Sequence, residues 1–210
     1  MGDEIGDDVH MLWALSKDFG SSGLRLGVLY TRNIMLLKAI ETISSFSSVS
    51  HPMQMIAAHM LTDFVFVDDF LETSAKKLSL SYNTVIQSLD NMNIPYVPAA
   101  AGIFVYCNFA SLLPENTFAG EARFASFLTD VARVVITPGE SQHDYRPGFF
   151  RICYAAITPE VLHVAMNRIS SIVNFIKVHG WDQTKRMHCY EDLLIATNDE
   201  TLKVKEYNHN

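Results

Sequence analysis

This chain of 210 residues is expected to adopt an α/β fold, and three observations predict it. Apolar runs of strand length occur at 10–15, 26–30, 102–109, 134–137 and 149–155. Between and after them lie segments whose apolar residues recur every three or four positions, the helical period. Cap and turn residues separate the two kinds of segment.

The runs 10–15 and 26–30 are nearly continuous in apolar residues, the pattern of strands covered on both faces. Over 33–46, Ile34, Leu37, Ile40 and Ile43 keep helical spacing. The serine cluster at 44–50 breaks it, and Pro52 starts a short helix through Met60. Phe66, Phe70, Leu71, Leu78, Tyr82, Val85, Ile86 and Leu89 then predict a long amphipathic helix. Thr62 or Asp63 is its N-cap, and residues 91–95 are its stop. Such a helix is expected to bridge two domains. Asp63, Asp68, Asp69 and Glu72 lie in its first turns, where the helix dipole favours them.

Residues 102–109 read as a buried strand, 118–131 as a helix and 134–137 as a strand ending at Pro138-Gly139. Residues 149–155 form another strand. Thr158-Pro159-Glu160 starts a helix, with a capping hydroxyl and proline at the first helical position. Val161, Leu162, Ala165, Ile169, Ile172, Val173 and Ile176 mark its buried face, and it ends near Gly180. Three divisions are expected: 1–61, 62–176 and a polar tail at 177–210 whose apolar island is 193–196.

The formal charge of −7 argues against a nucleic-acid partner, because phosphate backbones need clustered Lys and Arg. No run of eighteen apolar residues suggests a membrane span. No basic segment followed by an apolar core suggests a secretory signal, and Gly6 stands where a myristoylation signal wants Ser or Thr. The cysteines Cys107, Cys153 and Cys189 are far apart and odd in number, which suits reduced thiols and a cytoplasmic protein. Cys107 and Cys153 read as small apolar fillers within strands. His51 and His59, near Met53, Met55 and Met60, lack metal-ligand spacing, and no metal is expected.

The run Ser16-Lys17-Asp18-Phe19-Gly20-Ser21-Ser22-Gly23-Leu24-Arg25-Leu26-Gly27 carries the chemistry. Lys17 closes one apolar segment, glycines punctuate the loop, and Arg25 opens the next. An amine and a guanidinium at one mouth of a sheet suit an aldehyde cofactor that carries a phosphate. Lysine can form an imine, and arginine can fork onto the phosphate. Taken alone, Lys17 beside Asp18 also reads as an exposed ion pair.

The first thirty residues resemble the lysine segment of fold-type I pyridoxal phosphate (PLP) enzymes, the aspartate aminotransferase superfamily (class I/II). The 1-aminocyclopropane-1-carboxylate (ACC) synthase-like branch is the one resembled. Three further blocks carry the likeness in order. Ala101-Gly102-Ile103-Phe104 resembles the branch's Ala-Gly-Leu-Phe strand. Thr137-Pro138-Gly139-Glu140-Ser141-Gln142-His143 resembles its Ser-Pro-Gly-Ser-Ser-Phe-His loop. Pro147-Gly148-Phe149-Phe150-Arg151-Ile152-Cys153-Tyr154-Ala155 resembles its Pro-Gly-Trp-Phe-Arg-Val-Cys-Phe-Ala strand. The similarity runs from about residue 8 to residue 176 and implies the end of the large domain plus the small α/β domain.

The resemblance implies Lys17 as the Schiff-base lysine and general base, with burial and the Arg25 cation favouring its free amine. It implies Arg25 as the phosphate arginine. Where the family often has a phosphate-binding serine, Ala14 stands here, and Ser16 and Ser22 are substitutes. Arg151 maps to the arginine that grips the substrate α-carboxylate, a task suited to a planar fork. An ion pair with Glu140 or Asp144 is the structural alternative. His143 matches a family histidine, but Asp144, Tyr145 and Arg146 differ from the residues that come next in the family's loop.

The family's pyridine-pairing aspartate, ring-stacking aromatic and phenolic-oxygen partners come from sequence before the lysine. None of Asp3, Glu4, Asp7 and Asp8 sits at the pyridine-pairing position. The two strands flanking Lys17 are therefore expected to have unpaired edges and uncovered faces. The implied activity is that of an aminotransferase or ACC synthase-like lyase. It acts on α-amino acids or S-adenosylmethionine with PLP, as a homodimer when complete. The alternatives are a non-catalytic dimerisation or binding module and a fragment or incomplete gene model.

Overall fold

The computed structural model describes residues 6–44 and 46–181. Asp3, Glu4, His188, Cys189 and the island at 193–196 lie outside them. The chain divides into two compact units between Lys76 and Lys77.

In the first unit, strands β1 (His10–Ala14) and β2 (Gly27–Thr31) pair antiparallel from His10↔Thr31 to Ala14↔Gly27. The first strand stops at Ala14 because residues Leu15–Asp18 coil into a single helical turn, α1. Helices α2 (Ile34–Ser44) and α3 (His51–Thr62) follow, and then α4 (Phe64–Asn91) begins. The Asn33 side chain starts α2 by accepting from Leu36 N at 2.9 Å, and Asp63 starts α4 by accepting from Phe66 N at 3.0 Å. Each satisfies an N–H that the first helical turn leaves without a partner. A small core of Leu15, Phe19 and Ala57 is joined by Trp13, Met60 and Phe70, with Phe19 stacked on Phe70 at 5.2 Å.

The strands flanking Lys17 are not covered on both faces: Leu12 is 81% exposed, and Met11, Val28 and Tyr30 are exposed as well. An apolar run records a capacity for burial. The burial itself needs a second layer, and a hairpin that is its whole sheet has none on that side.

In the second unit, β3 (Tyr96–Val97), β4 (Phe104–Asn108), β5 (Thr137–Pro138) and β6 (Phe149–Cys153) form an antiparallel sheet in the order β3-β4-β6-β5. Helices α5 (Phe118–Phe127) and α6 (Pro159–His179) complete the layer. Residues 102–109 and 149–155 were expected as longer strands; the ladder closes over five residues of each. Both alternate in burial rather than being buried throughout. Val105, Cys107, Phe150 and Ile152 enter the core with Phe124, Phe127, Leu162, Met166 and Ile169. Phe104, Tyr106, Asn108, Phe149, Arg151 and Cys153 occupy the other, half-buried face, as a period of two requires. Cys107 is the core filler expected, its thiol donating to Phe150 O at 3.3 Å and its pKa pushed up by burial.

Residues 118–131 are helical only to Phe127. A wide turn over Leu128–Ala132 comes next, ended by Arg133 in the left-handed region at φ 55°. The strand expected at 134–137 shrinks to Thr137–Pro138. Residues 177–181, expected to open the tail, belong to the second unit, and the rest of that stretch lies outside the described residues. Lys177 and His179 finish α6, Lys177 Nζ donates to Met92 O at 2.6 Å, and Trp181 donates to Leu112 O at 2.9 Å while packing on Phe124 and Phe127. A lone tryptophan in a polar stretch carries no periodic signal. Among the described residues, no helix is long and apolar enough to cross a membrane.

Candidate active site

The β1–β2 hairpin gathers the first group. Its ladder closes at Ala14↔Gly27, and Leu15 N donates to Leu26 O at 3.4 Å, so residues 15–26 form one loop at one end of the hairpin. Ser16 and Lys17 lie on α1, Ser16 half-buried and Lys17 exposed. The burial expected of Lys17 is not provided by the described residues. The Asp18 carboxylate accepts from the Trp13 indole at 2.5 Å. Gly20 takes a positive φ of 61°, which folds the loop back. Arg25 comes after the Ser22–Leu24 turn in the left-handed region at φ 50°, with Nη1 donating to Ser22 O at 3.1 Å. Amine, guanidinium and hydroxyls thus share one loop, and that donor chemistry fits the aldehyde and phosphate end of PLP.

The second group lies in the other unit. On β6, Arg151 stands opposite Tyr106 of β4 and Thr137 of β5. Its guanidinium lies 4.4 Å over the Phe104 ring, and Nη1 donates to Gln142 Oε1 at 2.8 Å. Nε is buried and makes no hydrogen bond. The ion pair weighed for Arg151 with Asp144 is not formed. Asp144 instead accepts from Tyr106 at 2.6 Å and from Arg146 Nη2 at 3.0 Å. The Arg146 hydrogen bond first, and then the Tyr106 one, hold the Asp144 carboxyl well below its ordinary value of 3.8. Burial and the bond to Asp144 push the Tyr106 hydroxyl upward. Because the folded pKa is depressed, Asp144 contributes stability fully present above its unfolded value and lost as pH falls through the folded one. Denaturant midpoints of the wild type and Asp144→Asn are therefore expected to differ by a constant amount near neutrality. The gap should close only as pH drops below 3.8. A gap that closes between neutrality and that value would contradict the pairing.

The loop between β5 and β6 is held by Glu121, which sequence reasoning missed. Its carboxylate is fully buried and accepts from Glu140 N at 3.0 Å and Gly148 N at 2.6 Å. Thr117 caps α5 by accepting from Gly120 N, which sets Glu121 in the first turn. The signal in the sequence was its spacing. Glu121 sits three and seven positions before Phe124 and Leu128, on the helix's apolar stripe, where a charge needs partners. His143 is exposed at φ 60° and ends the Glu140–Gln142 turn; nothing in its surroundings assigns it a role.

Residues 2–169 match the family described as aminotransferase class I and II. An ACC synthase of Cucurbita maxima is 36% identical over 168 residues, covering 80% of this chain and 34% of that protein. ACC synthase 6 of Arabidopsis thaliana is 33% identical over 163 residues, covering 78% and 33%. The chain thus spans about a third of the length of the curated relatives it matches. An aromatic aminotransferase of Pyrococcus horikoshii aligns at a TM-score of 0.70 with 22% identity, over 80% of this chain and 44% of that one. An aspartate aminotransferase of Thermus thermophilus aligns at 0.69 with 21% identity, over 79% and 41%. The fold is aspartate aminotransferase-like, of fold type I, and the family matched is PLP-dependent. With four-fifths of its length matched in order, through both the lysine loop and the Arg151 strand, the chain belongs to the class I and II aminotransferase family.

Proposed function

We propose that this chain contributes the lysine, the phosphate arginine and the carboxylate arginine of a PLP-dependent site acting on α-amino acids. The reaction is transamination or an ACC synthase-like elimination, for which S-adenosylmethionine is the amino acid. The observation that carries the reading is the single hairpin loop in which Lys17, Ser16 and Arg25 are held. When bound, PLP supplies an aldehyde for an amine and a ring that takes up electrons released at the substrate α-carbon. Lys17 would hold the aldehyde end through its Nζ amine, and the same Nζ would take the α-proton of the substrate. Arg25 and Ser16 bind the phosphate. Arg151 orients the substrate by its carboxylate, its plane supported by Phe104. The proposed assembly is a homodimer.

The test is to mix the chain with PLP, record the visible spectrum, reduce with borohydride and map the adduct by mass spectrometry. A band absent from Lys17→Ala, with the adduct on the Lys17 peptide, is expected. Identical spectra for the two proteins, or an adduct elsewhere, would overturn the reading. A second reading, a non-catalytic binding module, draws on the exposed apolar residues of the first unit, including Leu12, Met35 and Val65. It is favoured if Lys17→Ala changes nothing while the chain still self-associates.

A further inference from the structure

The Arg151 site contains a residue that neither the family reading nor the sequence assigned. A carboxylate can fork onto a guanidinium along the Nε/Nη2 edge or along the Nη1/Nη2 end. Nε of Arg151 is buried, which closes the first edge, and Phe104 covers one face of the plane. The Nη1/Nη2 end remains, and Nη1 is held there by Gln142 Oε1 at 2.8 Å.

Gln142 is not placed there loosely. It ends the Glu140–Gln142 turn, with its own N–H donating to Gly139 O at 2.8 Å and its Nε2 donating to Ser141 Oγ at 3.3 Å. The turn is fixed at its first residue by Glu121. The occupant of Nη1 is therefore a neutral amide carried by an anchored turn. It satisfies Nη1 without neutralising the arginine.

Resting on the reading of Arg151 as the carboxylate arginine, we propose that Gln142 gates this site and sets its selectivity for charge, its amide oxygen holding Nη1 until a ligand carboxylate displaces it. The guanidinium donor is charged in either case, but a carboxylate adds opposite charge and a second oxygen that can fork across Nη1 and Nη2, so a carboxylate displaces the amide. A neutral carboxamide ligand offers Nη1 nothing better than Gln142 already gives, and it loses to a competitor tethered to the same protein. The residue at 142 thus decides how well acids are told from their amides. The family's loop carries phenylalanine at this position, a side chain that cannot accept a hydrogen bond from Nη1.

The test monitors the Arg151 Nε–H resonance of the full chain by NMR, assigned by its loss in Arg151→Lys, during titration with acetate and with acetamide. Wild type is expected to respond to acetate and barely to acetamide. In Gln142→Leu the acetate midpoint should fall by roughly tenfold, the worth of one hydrogen bond, and acetamide should begin to register. Gln142→Glu places an anion on Nη1 and should raise the acetate midpoint by at least as much. Equal acetate midpoints in wild type, Gln142→Leu and Gln142→Glu would overturn the gate while leaving Arg151 as a carboxylate site. No response to acetate in any of the three would overturn the Arg151 reading and the gate with it. Both Gln142 variants are at an exposed position, so folding is not at issue.

Discussion

Gly148→Ala is expected to lower the unfolding free energy by about 3–5 kcal/mol, combining left-handed backbone strain with overpacking. Gly148 has φ 92°, where a side chain is strained whatever space surrounds it. There is no space either. An added Cβ would lie 2.5 Å from Ala110 Cα and 2.7 Å from Ala110 N, both on another stretch of backbone. No rotamer change relieves a clash with main chain. The shift it forces would also pull Gly148 O from Phe109 N, now at 2.7 Å, and Gly148 N from Glu121. A loss of this size is a large part of the roughly 5–15 kcal/mol typical of a domain. Urea unfolding monitored by circular dichroism checks it, and a midpoint close to wild type would refute the packing described.

Glu121→Ala is expected to cost about 3–6 kcal/mol, from two hydrogen bonds to a charged group at about 1.5–3 kcal/mol each. The loss arises because Glu140 N and Gly148 N would keep their positions without an acceptor, in a place where Glu121 itself is 0% exposed. Hydrogen exchange distinguishes this from general loosening. The amides of Glu140 and Gly148 should be protected in the wild type and exchange first in the variant, ahead of the β4–β6 ladder. Uniform loss of protection across the second unit would show that Glu121 serves the whole core rather than this loop. Glu121→Gln should recover part of the stability, since the amide oxygen still accepts from one of the two donors.

Both predictions concern the turn-bearing segment between β5 and β6, and they show where sequence reading stops. The capping signals were legible because they are local. Asp63 accepts from Phe66 N, and Thr158 with Pro159 opens α6, as the residue types required. The family motifs were legible because residue identity in order carries them, and the matched region covers 2–169. Glu121 was not, because its partners are backbone groups 19 and 27 positions away. The engagement of Arg151 by Gln142 rather than by a carboxylate depends on the path of the turn, since Asp144 and Glu140 are as near in sequence. The apolar pattern of β1 and β2 suggested cover on both faces, whereas the exposure of Leu12 and Val28 agrees with the uncovered faces expected of two strands without neighbours: hydrophobicity is a property of the residue, and burial is a property of its neighbours.

By itself, the sequence determined the family, the α/β class and the helix starts, and it named Lys17, Arg25 and Arg151 as candidates, because these depend on residue type and local spacing. Only the tertiary structure decided which face of each strand is covered, which buried carboxylate holds the loop and which side chain meets the Arg151 guanidinium. Those outcomes depend on groups far apart in the chain meeting at hydrogen-bond distance, and no local pattern specifies that meeting.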